Sequence, residues 1–251
     1  MHRDSLLFRE TLLTTRSASQ DRAIESVPRR RAKRLIRRLW LHHLFLLVAT
    51  ASVVFGLYVT RPYRDVITGL SFSTAYPALI LLVITLWIGP WTLLRGRRTP
   101  VSSDLRRDIG IWAGILGVLH TVIGLCVHLR GRPWLYFVYQ HSEGHRFPLR
   151  HDMFGFANET GLVATIILVL LFVTSNDYAL RRLGTPRWKQ LQRWNYVLFL
   201  FAVLHTSAYQ TMEKQHFPFV ATIAVFGAIT LALQAVGFNR RRAQTARRVQ
   251  V

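Results

Sequence analysis

One cysteine, Cys126, stands in the whole chain, so no intrachain disulfide, cysteine-ligated cluster or thiolate pair can form within it. Redox chemistry, if the chain performs any, needs a bound cofactor. Acidic residues are scarce too: 12 Asp and Glu stand against 33 Lys and Arg, a formal net charge of +21. Nothing in residues 1–38 resembles the apolar core of a signal peptide. The apolar stretches that follow lack the period-2 alternation of barrel strands. Neither terminal segment exceeds about 40 residues, whereas a soluble nucleotide-binding domain needs about 50 or more, so flavin or nicotinamide chemistry is expected from another chain.

What the chain does have is apolar length. It is 51% hydrophobic, and that content falls into blocks of about 20 residues, the length a bilayer core requires. Spans are expected near 40–60, 76–94, 109–129, 158–176, 194–212 and 217–237. The fold class is therefore an all-α integral membrane protein, a six-transmembrane-helix bundle, because in lipid each backbone must satisfy its own hydrogen bonds. Of the basic residues, 26 fall before the first span, in 95–108, in 177–193 and after 238, against 7 elsewhere (Arg61, Arg64, Arg130, Arg132, Arg146, Arg150, Lys214). This bias places both termini in the cytoplasm and the protein in the cell inner (plasma) membrane. It also accounts for the charge through anionic lipids, with no nucleic-acid partner. The expected organisation is a basic cytoplasmic arm over 1–38, a six-helix membrane domain over 39–238 and a basic cytoplasmic tail over 239–251.

Two histidines interrupt the apolar blocks at matching depth: His120 within 109–126 and His205 within 196–206. An ionisable group inside a membrane helix is costly unless something binds it, so the default reading is functional. His120 lies 13 residues after Arg107 and His205 lies 12 after Arg193. With a rise of about 1.5 Å per residue, both stand roughly 18–20 Å above the basic edge. Two at one level suggest a shared ligand. A haem iron fits that role, taking one ring nitrogen from each side of a flat macrocycle. Gly117 at i−3 and Gly124 at i+4 from His120, with Ala202 at i−3 from His205, leave a slot beside the rings. The competing reading makes these glycines a close helix contact and leaves each histidine hydrogen-bonded to a neighbouring helix.

The remaining histidines carry weaker signals. His128 is expected at the outer interface and His42 and His43 at the cytoplasmic end of the first span, while His216 could approach a haem edge or propionate only as the lesser of its readings. His141, His145 and His151 gather with Glu143 and Asp152 in the outer connection 130–157, at a spacing that matches no established metal site. Trp134, Tyr136, Phe137 and Tyr139 in the same connection suit a ring at the membrane interface. Arg107, Arg181, Arg182, Arg187 and Arg193 could dock an acidic flavoprotein or hold a flavin phosphate, and Arg130 and Arg132 are candidate propionate partners.

The residues Arg181-Arg-Leu-Gly184, Trp188, Leu191, Arg193, Tyr196 and Leu204-His205, with Leu105-Arg-Arg-Asp-Ile-Gly110 and Leu119-His120, resemble the ferric-reductase-like transmembrane superfamily. Within it they are most similar to the haem-binding membrane subunits of bacterial methionine-sulfoxide reductase systems. The resemblance covers roughly residues 76–212. It implies a b-type haem between the third and fifth spans, with His120 and His205 at the family's ligand positions. Members with two stacked haems carry a second histidine 13 or 14 residues cytoplasmic of each; here those positions hold Gln192 and Arg106 or Arg107. An amide is a poor haem ligand, so one haem is expected.

The function expected from these readings is a membrane b-type cytochrome subunit. Electrons from a separate cytoplasmic flavin reductase, or from quinol in the bilayer, would pass through one bis-histidine haem to an acceptor on the outer face. Flavin or quinone would then belong to the partner or the bilayer. Thr121, Thr206 and Tyr209 are candidate hydrogen-bonding neighbours of the imidazoles. The alternatives are direct reduction of ferric or other metal ions at the outer face, and a haem-free scaffold or transporter.

Overall fold

The computed structural model describes residues 36, 38–95, 103–129, 132–140, 148–212 and 217–249. Most of the expected N-terminal arm lies outside the described residues, as do the end of the tail and Arg130, His141, Glu143, His145 and His216. Among the described residues the protein is all-helical, with one isolated antiparallel bridge between Val138 and Leu149. The helices are α1 (Phe45–Val59), α2 (Val66–Leu94), α3 (Ser103–Gly124), α4 (Met153–Val173), α5 (Asp177–Gln192), α6 (Asn195–Met212) and α7 (Phe217–Val249). A π-helical turn covers Leu39–Leu44 and a 3-10 turn Pro133–Tyr136. The chain forms two compact units, 1–48 and 49–251, and the second holds all four helices that surround the cavity described below.

Among the described residues, four helices are long and apolar enough to cross a membrane: Leu39–Val59, Val66–Leu94, Met153–Val173 and Val220–Arg240. α3 is less apolar chiefly because its first turns carry Asp104, Arg106, Arg107 and Asp108, and α6 because it carries His205, Thr206 and Gln210, which line a cavity together with His120 and Thr121 of α3. α2 is buried on several sides, with Val83 and Leu86 both 1% exposed. Two of its buried threonine hydroxyls turn back on their own helix: Thr74 donates to Leu70 O at 2.8 Å and Thr85 to Leu81 O at 2.8 Å. Polar groups that would be costly in lipid are thereby satisfied without a partner helix.

Capping moves two helix starts outward from the expected spans. The Asp65 side chain accepts from Thr68 N at 2.9 Å, so α2 begins at Val66 rather than near 76. The Asp152 side chain accepts from Gly155 N at 2.7 Å, so α4 begins at Met153 rather than near 158. Arg150 pairs with Asp152, and this hydrogen bond, outweighing a smaller desolvation effect, holds the carboxyl below its usual range. An N-cap of this kind contributes about 1 kcal/mol, and Asp152→Ala is expected to lower thermal stability by that order. Because the folded pKa is depressed, the contribution is present above the ordinary carboxylate value and fades as pH falls below it. Melting curves of wild type and Asp152→Ala should therefore differ at pH 7 and converge in acid; a gap that persists unchanged in acid contradicts the assignment.

The outer connection also departs from expectation. Tyr136 is 1% exposed, not part of an interfacial ring. Its hydroxyl donates to Gly124 O at 3.1 Å and accepts from His128 N at 2.9 Å, closing the end of α3. α3 thus stops at Gly124, short of the expected 129, and Trp134 alone of that aromatic group is largely exposed, at 56%. At the opposite end, the basic connector 177–193 is a helix, α5, capped by Asn176 and broken at Gly184, whose φ of +72° a side chain would disfavour.

α2 packs most extensively on α3, and α4 on α6; contacts between the two pairs, α3 with α4 and α2 with α6, are sparser. α7 lies against α2. The four helices α2, α3, α4 and α6 thus close a ring made of two tight pairs, and the space between the pairs is where the site lies.

Candidate cofactor site

Each tight pair carries one of the two histidines, and each histidine is anchored on the main chain of its pair partner. On the first pair, His120 of α3 lies with Nδ1 2.9 Å from Ser71 O of α2. On the second, His205 of α6 lies with Nδ1 2.7 Å from Ala157 O of α4. A carbonyl oxygen only accepts, so each Nδ1 carries a proton and donates it. The neutral ring then keeps its lone pair on Nε2, the state a metal ligand needs.

The two ring centres are 6.2 Å apart, at an interplanar angle of 73°. Metal–nitrogen bonds of about 2 Å, with each nitrogen about 1 Å from its ring centre, put two imidazoles on opposite sides of one metal about 6 Å apart. The spacing is too long for a direct hydrogen bond between the rings and suits one atom held between them. Around the pair lies a cavity of about 1010 Å³ whose lining includes both histidines. Its size suits a large planar cofactor, at the top of the range of about 300–1,000 Å³ for ligand pockets. The donor set, its tautomers and the space fit a haem.

The expected slot residues Gly117, Gly124 and Ala202 all line this cavity. Gly117 also serves close packing: a Cβ there would meet Leu168 Cδ2 of α4 at 2.5 Å. Gly161 on α4 escaped the sequence reading. A Cβ at that position would stand 2.5 Å from His205 Nδ1, so its hydrogen is what lets the imidazole reach Ala157 O.

The expected hydrogen-bonding neighbours are arranged differently from the expectation. Thr121 donates to Gly117 O at 3.0 Å and meets Thr165 Oγ1, and Thr206 donates to Ala202 O at 2.7 Å, so the imidazole partners are carbonyls instead. Tyr209 packs its ring 5.0 Å from that of His205 and donates its hydroxyl to Asn158 Oδ1 at 2.7 Å. His128 also lines the cavity, with its ring stacked over Tyr209 at 6.5 Å, so it faces inward as well as toward the interface.

On the basic side, Arg107 forms an ion pair with Asp177 at the start of α5. Gln192 accepts from Asn195 Nδ2 at 3.3 Å. Arg107 and Gln192, two of the positions singled out in the sequence together with Arg106, thus make polar contacts of their own, although the Nε2 of Gln192 is buried without a hydrogen-bond partner. Arg181, Arg182, Arg187 and Arg193 are exposed. Among the described residues no group of three His, Cys, Asp or Glu is placed to hold a metal ion; His151 is described and exposed, while His141 and His145 are not described.

Residues 68–203 match the model of the family described as ferric reductase like transmembrane component. The chain belongs to this family. The matched residues contain the whole of α3 and α4, and end within α6 just before His205. As a ferric reductase like transmembrane component with several membrane-length apolar helices, the protein is a multi-pass membrane protein. Similar curated proteins include the "Protein-methionine-sulfoxide reductase heme-binding subunit MsrQ" of Yersinia pseudotuberculosis serotype O:1b (strain IP 31758), 28% identical over 201 residues, which cover 75% of this chain and 83% of that protein. The subunit of the same name from Yersinia pestis (strain Pestoides F) is also 28% identical over 201 residues, covering 75% of this chain and 82% of its own.

Proposed function

We propose that this chain is a haem-carrying electron-transfer subunit of the inner membrane, with His120 and His205 as the two axial ligands of one b-type haem. The single observation that carries the reading is the histidine pair: two rings 6.2 Å apart, each with Nδ1 tied to a carbonyl and Nε2 left to ligate. The names of the similar subunits support haem as the cofactor. In this reading α3 and α6 cross the membrane with the four more apolar helices, giving six spans, and the basic segments keep both termini in the cytoplasm.

When bound, the haem supplies a one-electron carrier whose axial positions are both filled. The protein's part is to bind and insulate it. Ser71 O and Ala157 O fix the two imidazole tautomers and orientations, Gly161 leaves His205 room to turn, and the apolar wall of Leu79, Leu82, Leu168 and Leu198 excludes water. Gly117, Gly124 and Ala202 leave the cavity wall open beside the ligands. Electrons arrive in this reading from a separate cytoplasmic flavoprotein or from membrane quinol and leave to an acceptor at the outer face, with the exposed arginines of α5 beside the entry side and anionic lipids around it.

With Arg107 paired to Asp177 and Gln192 to Asn195, the positions 13 residues before His120 and His205 carry no second pair of imidazoles. Protein purified from haem-sufficient cells is expected to be red, to give a sharp b-type band on dithionite reduction, and to contain about one haem per chain. A ratio near two contradicts the single site, and a colourless preparation contradicts the proposal as a whole.

A further inference from the structure

The cavity lining carries a charge feature that the histidine pair does not explain. Among the described residues that line the cavity, the formally charged side chains are Arg61, Arg64 and Asp65, all in the connection from α1 to α2, leaving one net positive charge. Arg61 is half-buried, with its Cζ 4.7 Å from the centre of the Phe72 ring, and Arg64 is exposed. Phe72 follows Ser71, whose carbonyl holds His120. The guanidinium is therefore turned inward, next to the segment that orients an axial ligand. A long cationic side chain at a membrane boundary ordinarily reaches out toward water and headgroups. One that lies along an apolar wall is placed for an anion inside.

We infer that Arg61, with Arg64 beside it, is the anchor for the propionate carboxylates of the haem, and that these two residues fix which way round the cofactor enters. The inference rests on the haem reading above. A haem brings two carboxylates, and in a low-dielectric cavity they need cationic partners. A guanidinium offers a planar donor fork that matches a carboxylate bidentately. Arg61 and Arg64 both line the cavity just before α2, whose N-terminal turn is capped by Asp65. Arg132, expected from the sequence as a propionate partner, is exposed and does not line the cavity, and Arg130 is not among the described residues.

The test compares two cofactors that differ only in the carboxylates. Full-length apoprotein in detergent is titrated with protohaem and with protohaem dimethyl ester, and the ratio of the two affinities is read for wild type, Arg61→Gln, Arg61→Gln/Arg64→Gln and Arg61→Lys/Arg64→Lys. Wild type is expected to prefer protohaem by about tenfold or more, the scale of one charge-assisted contact. The double Gln variant is expected to lose most of that preference while keeping the low-spin spectrum of two imidazole ligands, and the double Lys variant to recover part of it. If the double Gln protein does not accumulate, single Arg61→Gln decides on the same ratio. Equal affinities in wild type, or an undiminished preference in the Gln variants, overturn the inference while leaving the axial site standing. Failure of wild type to bind either cofactor overturns the haem reading itself, and this assignment with it.

Discussion

His120→Ala and His205→Ala, each alone, are expected to abolish the reduced b-type band and to lower haem retention by more than about 100-fold, beyond the tenfold to hundredfold cost of removing a hydrogen-bonding partner of a ligand. In the proposed reading each ring would hold the haem from one side, so loss of either would leave the cofactor held by the other alone. The main chain that each imidazole touches does not depend on it. Ala157 O also accepts from Thr160 Oγ1 at 2.9 Å, and Ser71 O from Thr74 Oγ1 at 3.1 Å, within their own helices. The variants are therefore expected to insert and accumulate at near wild-type levels, so that immunoblot and haem content diverge. A variant that keeps the wild-type spectrum contradicts the ligand assignment for that histidine.

The second large effect is expected at a residue that offers no side-chain donor atom. Gly161→Val places carbon where His205 Nδ1 now stands: a Cβ would lie 2.5 Å from Nδ1 and 2.8 Å from Cε1. The imidazole must swing away and give up its bond to Ala157 O, which fixes both its tautomer and its aim. Haem retention is expected to fall by about ten- to a hundredfold, the cost of losing a ligand's supporting partner. Gly114→Val is the matched control. It also creates a close approach, 2.6 Å, but to Phe172 Cδ2, and Gly114 does not line the cavity. Most haem should remain in that variant. Equal behaviour of the two substitutions would mean that Gly161 only packs helices and does not position His205.

The histidines were legible in the sequence because an ionisable group in an apolar block is rare enough to carry meaning alone, and two at one depth carry more. What holds them was not. The partners of His120 and His205 are the carbonyls of Ser71 and Ala157, and a carbonyl has no residue type to betray it. Gly161 was silent for a related reason: α4 bears no histidine, so nothing in its own run marks one glycine as facing a ligand. The helix ends were displaced wherever a cap overrode hydropathy, as at Asp65 and Asp152, and Tyr136 read as an interfacial aromatic although its hydroxyl closes α3. The cavity-lining His205, Thr206 and Gln210 dilute the hydropathy of α6, and the charged first turns dilute that of α3, whereas α2 and α4, which hold the imidazoles by their carbonyls, keep membrane-length apolar runs.

The measurement that bears most directly on the account is a density map of the purified, pigmented protein at a resolution that separates side chains. The account predicts a flat macrocycle between α3 and α6, with the Nε2 atoms of His120 and His205 meeting its iron from opposite faces. Imidazoles turned apart, with lipid or packed side chains filling the space between them, would contradict it.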